Sequence, residues 1–279
     1  MDYELRDQSV VVTGGSKGIG FAVCREFLKE GAIVTFNARN RDEVEQAVEE
    51  LRHTEVDGQT PETMRNRIHG LVLDGTDERA VSELASFAAE KSSSRSIAAW
   101  VNNIGTNRAR AGEGYTDGEL DFLIAANFKA TVFGTQAAFS CMKQNGGSIV
   151  NIASLAARAA TTGRSTIYAA MKAAVVQYSR TVAGEYGAYN VRVNSLMPGY
   201  TVTPLVASTF TKAALDHLME NNLLRRMADP EEIAKAVLFL ASPVSSYVNG
   251  TSLEVSGGHN IVLNPEYSFL KKKGEEIQS

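Results

Sequence analysis

Tyr168 and Lys172 close the run Tyr168-Ala169-Ala170-Met171-Lys172. If this run is helical, the phenol and the ammonium share one face, one turn apart. A free phenol has a pKa near about 10, too weakly acidic to pass protons at neutral pH. An ammonium about 4 Å away at an effective dielectric near about 20 contributes about 4 kcal/mol. That is about three pKa units, enough to bring the phenol near about 7. Such a pair is a general acid in one direction and a general base in the other. The pattern alone is cheap, because Tyr267 and Lys271 repeat it. Context separates the two: Tyr267 lies beyond the last strand and reads as tail packing, whereas Tyr168 follows a strand, where the crevice of a parallel sheet lies.

A second constellation stands near the start of the chain. Thr13-Gly14-Gly15-Ser16-Lys17-Gly18-Ile19-Gly20 follows a β-branched run and opens an amphipathic stretch. Glycines at 14, 18 and 20 permit a tight turn, a close backbone approach to a pyrophosphate and tight helix–strand packing. The helix that begins there offers free amides and a partial positive charge to an anion. A glycine-rich turn by itself is weak evidence; the strand before it and the helix after it supply the context that such a site requires.

The elements that must position both groups alternate along the chain. Short β-branched runs at 9–13, 32–37, 68–73, 98–102, 147–152, 191–196 and 252–255 predict seven strands. Apolar residues at helical spacing predict helices over 19–30, 41–53, 78–91, 120–142, 166–186 and 230–241. Asp229 and Pro230 mark the last helix start, as N-cap and first helical residue. The expectation is one α/β domain over 1–279, a Rossmann-type doubly wound parallel seven-stranded sheet with helices on both faces. Residues 54–67 are polar and predict a surface excursion, 201–228 contain an apolar helical part suited to a substrate lid, and 263–279 read as a solvated, frayed tail.

Composition narrows the function classes. With 28 basic and 32 acidic residues the formal charge is −4, so no general field draws the chain to nucleic acid or to an anionic membrane. The longest uncharged stretch, 193–211, carries two prolines and several hydroxyl side chains and does not predict a membrane span. Asp2, Glu4 and Arg6 stand where a signal peptide needs an apolar run, and Cys24 and Cys141 fall in patterns that read as buried helix, so a reducing, cytoplasmic setting is expected. His53, His69, His217 and His259 show no ligand spacing, and no metal is expected. No Gly-x-Ser-x-Gly elbow follows a central strand, which excludes that kind of hydrolase.

The spacing Gly-x3-Gly-x-Gly after a threonine resembles the short-chain dehydrogenase/reductase family, and matching motifs extend over about 5–262. The resemblance implies that the glycine loop, with Gly14, Ser16, Lys17, Gly18, Ile19 and Gly20, holds the diphosphate of a nicotinamide dinucleotide. It implies that Asp74 caps the adenine and that Asn103 and Gly105, in Asn102-Asn103-Ile104-Gly105, also bind the cofactor; Ile104 replaces the family's usual small residue on the adenine side. Ser154, in Asn151-Ile152-Ala153-Ser154, matches the serine that holds the substrate oxygen, 14 residues before Tyr168 where 13 is usual. Asn127 matches the helix asparagine that holds a water linking the lysine to solvent. Pro198, Gly199, Thr201 and Thr203 match the turn that holds the nicotinamide carboxamide, while Tyr168 and Lys172 also touch the cofactor.

Relatives that use NAD end the second strand with an acid that binds the ribose hydroxyls. Ala38 occupies that place here and Arg39 follows it. A guanidinium fork suits a 2′-phosphate, and Lys17 adds a second cation, so NADP(H) is the expected cofactor. The alternative is that both are ordinary solvated charges.

The expected activity is hydride transfer between NADP(H) and a carbonyl or secondary alcohol, Tyr168 moving the proton. Phe210, Leu215, Leu218, Met219 and Leu223 in the lid, with residues 108–114 as a flexible rim, favour a bulky, partly apolar ketone such as a steroid, an alkaloid or an acyl thioester. The rival readings are an NAD-linked alcohol or polyol dehydrogenase of the same fold and a non-catalytic NADP(H)-binding sensor. The resemblance also implies a homo-oligomer, dimer or tetramer, packed through the helices around 120–142 and 166–186, where Ala169, Ala170, Ala173 and Ala174 permit close approach.

Overall fold

The β-branched runs form seven strands: β1 (Ser9–Thr13), β2 (Ile33–Ala38), β3 (Ile68–Val72), β4 (Ala99–Asn102), β5 (Gly147–Ile152), β6 (Val191–Pro198) and β7 (Ser252–Val255). This computed structural model describes residues 2–56, 60–108, 114–159, 162 and 165–273. All six strand pairings are parallel, in the order β3-β2-β1-β4-β5-β6-β7. The order reverses between β1 and β4, so the loops leaving these two neighbours diverge and open a crevice at their carboxyl ends.

The helices are α1 (Gly18–Lys29), α2 (Arg41–Arg52), α3 (Pro61–Met64), α4 (Glu78–Glu90), α5 (Asp117–Ile124), α6 (Ala130–Met142), α7 (Thr166–Tyr186), α8 (Pro204–Thr209), α9 (Lys212–Met219), α10 (Pro230–Ala241) and α11 (Tyr267–Lys273). Successive strand residues face opposite ways, and both faces are covered. Val10, Val12, Val34, Phe36 and Val101 pack with Phe27 of α1 and Val237 of α10. Val11, Trp100, Ile149 and Val193 pack with Leu84 of α4, Ala138 of α6 and Val182 of α7. This two-sided burial explains why the strands read as continuous apolar runs rather than as alternating patterns.

The structure departs from the sequence reading in five places. The helix expected over 120–142 starts at Asp117, under a capping box between Thr116 and Glu119, and passes through one π-helical turn, Ala125–Lys129, between α5 and α6. Residues 54–67 are not wholly a surface excursion, because Met64 of α3 is fully buried in the core. The lid is two helices, since Phe210 takes an extended conformation between α8 and α9. Within the tail, residues 267–273 form α11, where Phe269 stacks against the Arg225 guanidinium at 4.6 Å, and 274–279 lie outside the described residues. Cys24 is buried as expected, but Cys141 is only half-buried.

Candidate active site

Gly14 and Gly18 both hold positive φ, +68° and +55°, a conformation that side chains with a Cβ adopt at a cost. Gly20 answers a different need: a Cβ there would overlap the Gly14 carbonyl. Asn103 clamps the turn from the neighbouring strand, its Nδ2 donating to the carbonyls of Thr13 (3.2 Å) and Gly14 (3.0 Å). The Asn103 amide donates to Thr13 Oγ1 at 3.0 Å. Asn37, at the end of β2, accepts from the Gly14 amide and donates to the Leu73 carbonyl, joining three strand ends. Asn37 went unnoticed in the sequence because its work is done by cross-strand register, which a linear motif does not display.

The turn opens one end of a cavity of about 440 Å³. Gly14, Lys17, Gly18, Ile19 and Asn103 line that end, and Gly105, Ser154, Tyr168 and Lys172 line the other, with Pro198, Gly199, Thr201 and Thr203 also in the lining. Two further site candidates, Ser16 and Gly20, stand in the turn without lining the cavity, and Arg39 and Asp74 do not line it either. Asp74 Oδ1 accepts from the Thr76 amide and hydroxyl at 2.9 and 2.8 Å, a self-contained turn. Arg39 is exposed directly after β2. Lys17 is held by Glu43 of α2 at 2.7 Å, an ion pair absent from the sequence reading.

At the chemical end, Ser154 caps the short turn Leu155–Ala157, its Oγ accepting from the Ala156 amide at 3.1 Å, and its hydroxyl lies near enough to the Tyr168 phenol to oppose the effect of burial on it. The longer spacing between Ser154 and Tyr168 therefore does not separate the pair. Lys172 is 2% exposed; its Nζ donates to the Ile152 carbonyl at 2.8 Å and lies 5.7 Å from the centre of the Tyr168 ring. Burial alone lowers the Lys172 pKa to about 8.

The phenol is not the lowered-pKa group that the spacing predicts. Burial pushes the Tyr168 pKa above its ordinary value, and the Ser154 hydroxyl opposes this only in part. The ammonium is itself desolvated and does not lower the phenol's pKa, so the chain's own groups do not hold the phenol below its ordinary value.

Asn127 lies in the π turn and is fully buried. Its Nδ2 donates to the carbonyls of Thr106 (2.8 Å) and Leu123 (2.9 Å), and its Oδ1 accepts from the Thr106 amide (3.0 Å). A Cβ at Gly105 would stand 3.0 Å from Lys172 Nζ and 3.1 Å from Asn127 Oδ1, so Gly105 keeps open the space between them. Behind the site, Asn102 Nδ2 donates to Asn151 Oδ1 at 2.8 Å, and Asn151 Nδ2 to Ser179 Oγ at 2.9 Å, tying β4, β5 and α7 into one buried network.

The cavity's side walls are Leu155, Ala156, Ala159, Tyr200, Leu205, Val206 and Phe210. Of the apolar lid residues singled out in the sequence, only Phe210 is among them. Tyr200 was not anticipated; it packs edge-on against Phe210 and His259. Most of the expected rim, 109–113, lies outside the described residues. Among the described residues no histidine, cysteine and carboxylate groups cluster as metal ligands, and no helix is long and apolar enough to cross a membrane.

A family model described as enoyl-(acyl carrier protein) reductase matches residues 14–260. The chain belongs to the short-chain dehydrogenase/reductase family. This short-chain dehydrogenase/reductase is 32% identical over 257 residues to a 3alpha-hydroxysteroid dehydrogenase of Mediterraneibacter gnavus, covering 91% of this chain and 97% of that one. It is 33% identical over 256 residues to a (3R)-3-hydroxyacyl-CoA dehydrogenase of Homo sapiens, covering 91% and 96%. A solved 7 alpha-hydroxysteroid dehydrogenase, complexed with NADH and 7-oxo glycochenodeoxycholic acid, superimposes with a TM-score of 0.83 at 29% identity, covering 94% and 98%. As a member, the short-chain dehydrogenase/reductase is a nicotinamide-dependent enzyme acting on CH–OH and C=O groups. The positive-φ glycine turn and the space kept open at Gly105 fit such a dinucleotide.

Proposed function

We propose that the protein is an NADP(H)-dependent reductase of a bulky, largely apolar ketone, oxidising the matching secondary alcohol in reverse. The observation that carries this reading is one cavity lined by Ser154, Tyr168 and Lys172 together with the glycine turn. Gly14, Ser16, Lys17, Gly18, Ile19 and Gly20 hold the dinucleotide's diphosphate, Asp74 its adenine, Asn103 and Gly105 the length of dinucleotide that passes β4, and Pro198, Gly199, Thr201 and Thr203 its carboxamide. Arg39 and Lys17 take the 2′-phosphate. The bound dinucleotide supplies the hydride.

The chain's own groups do the rest. Ser154 orients the substrate oxygen, and Tyr168 donates a proton to it during reduction and removes one during oxidation. Lys172, held by the Ile152 carbonyl, places positive charge behind the phenol, and Asn127 sustains the path by which its proton is replaced. Among the described residues the substrate end carries no carboxylate, and its walls are mostly aliphatic and aromatic, which suits a neutral ring or an acyl chain. The steroid- and hydroxyacyl-named relatives point the same way. We further read the protein as a cytoplasmic homo-oligomer of one domain that acts on small molecules and not on nucleic acid or membranes.

One observation favours an NAD-linked reading. The Glu43 carboxylate engages Lys17, and a carboxylate near the ribose repels a 2′-phosphate. Reduction of a 3-oxo steroid and of acetoacetyl-CoA, followed by absorbance with NADPH and with NADH, tests both. Turnover with NADPH, a loss of about 10²- to 10⁴-fold in Tyr168→Phe, and a raised NADPH KM in Arg39→Asp are the expected results. Full activity of Tyr168→Phe overturns the assignment of the phenol; an unchanged NADPH KM in Arg39→Asp overturns that of the 2′-phosphate site.

A further inference from the structure

The segment that carries Ser154 is tied to the far edge of the sheet by a single side chain. Arg158, four residues after Ser154, donates from Nε and Nη2 to the two oxygens of Glu254 on β7, both at 2.9 Å. The same guanidinium donates to the carbonyls of His259 at 3.0 Å and Asn260 at 3.3 Å. Glu254 is braced in turn by the Ser256 hydroxyl at 2.6 Å. This fork-on-fork geometry fixes direction as well as distance, which a single ion pair does not.

Residues 254–260 also support a wall of the cavity. The His259 ring, 2% exposed, packs edge-on against Tyr200, a cavity wall. The end of the lid joins the same strip: Asn222 Nδ2 donates to the Ser256 carbonyl at 2.8 Å, the Leu224 amide to the Gly257 carbonyl at 3.3 Å, and the Asn260 amide to the Asn221 carbonyl at 3.1 Å. The catalytic-serine segment, the Tyr200 wall and the base of the lid therefore meet on one strip of chain, and Arg158 is the clasp between the first and the other two. No part of the proton-transfer scheme uses Arg158 or Glu254.

We propose that Arg158 and Glu254 are positioning residues that set the distance between Ser154 and the Tyr200 wall, and so the seating of the substrate ketone. This rests on the reading of Ser154 as the group that holds the substrate oxygen. A shift of the serine segment by a fraction of its hydrogen-bond length misaligns the ketone without touching the glycine turn, which follows β1 while Ser154 follows β5.

Arg158→Lys keeps the charge and loses the fork, and Glu254→Gln keeps the size and loses the charge. Each is expected to lower kcat/KM for a 3-oxo steroid or acetoacetyl-CoA about tenfold, mainly through KM, while the NADPH dissociation constant, read by fluorescence, stays as in the unaltered protein. Hydrogen–deuterium exchange, which needs no substrate, is expected to quicken at the amides of 156–159, with those of β5 and β6 unchanged. An unchanged KM together with unchanged exchange at 156–159 overturns the proposal, as does a loss of activity with KM constant and NADPH binding weakened in parallel, the mark of general damage. Ser154→Ala separates the two readings. If it turns over ketone at the unaltered rate, the role of Ser154 fails; if it is inactive while the Arg158 and Glu254 variants behave as the unaltered protein, the clasp alone fails.

Discussion

Taking the Lys172 ammonium out of water lowers its pKa from 10.5 to about 8, with burial as the cause. Above about pH 8 the native protein has lost this proton while the unfolded chain keeps it up to 10.5, so the unfolded state binds more protons across that window. Stability therefore rises with pH through the window, and below it the native state bears the full desolvation penalty. The difference is on the order of 3 kcal/mol, offset in part by the bond to the Ile152 carbonyl. Lys172→Met is expected to lose turnover yet to unfold in urea at neutral pH at no lower concentration than the unaltered protein. Raising the pH from about 7 to about 10 should stabilise the unaltered protein relative to the variant; the opposite trend would show that Lys172 is not held as a buried ammonium.

Two helices carry the site, each through a local device. The π turn between α5 and α6 swings Asn127 inward so that three backbone groups of residues 106 and 123 are satisfied at once, a bulge of the kind often found at functional positions. In α6 the close approach to β4 depends on Gly134, where a Cβ would overlap Asn102 Oδ1 in the buried network. Gly184, near the end of α7, faces open space. Gly134→Ala should destabilise by about 1–3 kcal/mol through overpacking, and Gly184→Ala should stabilise by about 0.5–1 kcal/mol through helix propensity. Urea midpoints measure both, and equal effects of the two substitutions would contradict the packing described for α6.

Across the whole molecule, the outer side of α7 presents small residues: Ala170 and Ala173 are exposed, with Ala169 and Ala174 half-buried beside them. A second copy could approach closely there. Sedimentation velocity is expected to find more than one chain per particle, and Ala173→Arg to shift the distribution toward the single chain. A single-chain particle for the unaltered protein would refute the α7 packing. At the same scale the sheet order explains why one crevice receives both functional turns: β1 and β4 are neighbours, but the connections they feed run to opposite sides.

The number, kind and approximate bounds of the strands were legible in the sequence because a buried parallel strand must be apolar on both sides. The glycine turn and the Tyr168–Lys172 pair were legible because their spacing repeats local backbone geometry. Local spacing did not reveal Asn37, Tyr200 or the Arg158–Glu254 clasp, whose partners are brought together by register and by the return of β7 along the sheet. Nor did it give the environment of the phenol and the ammonium. Burial governs the acidity of both, and burial is a property of everything packed around a group, which only the assembled chain decides.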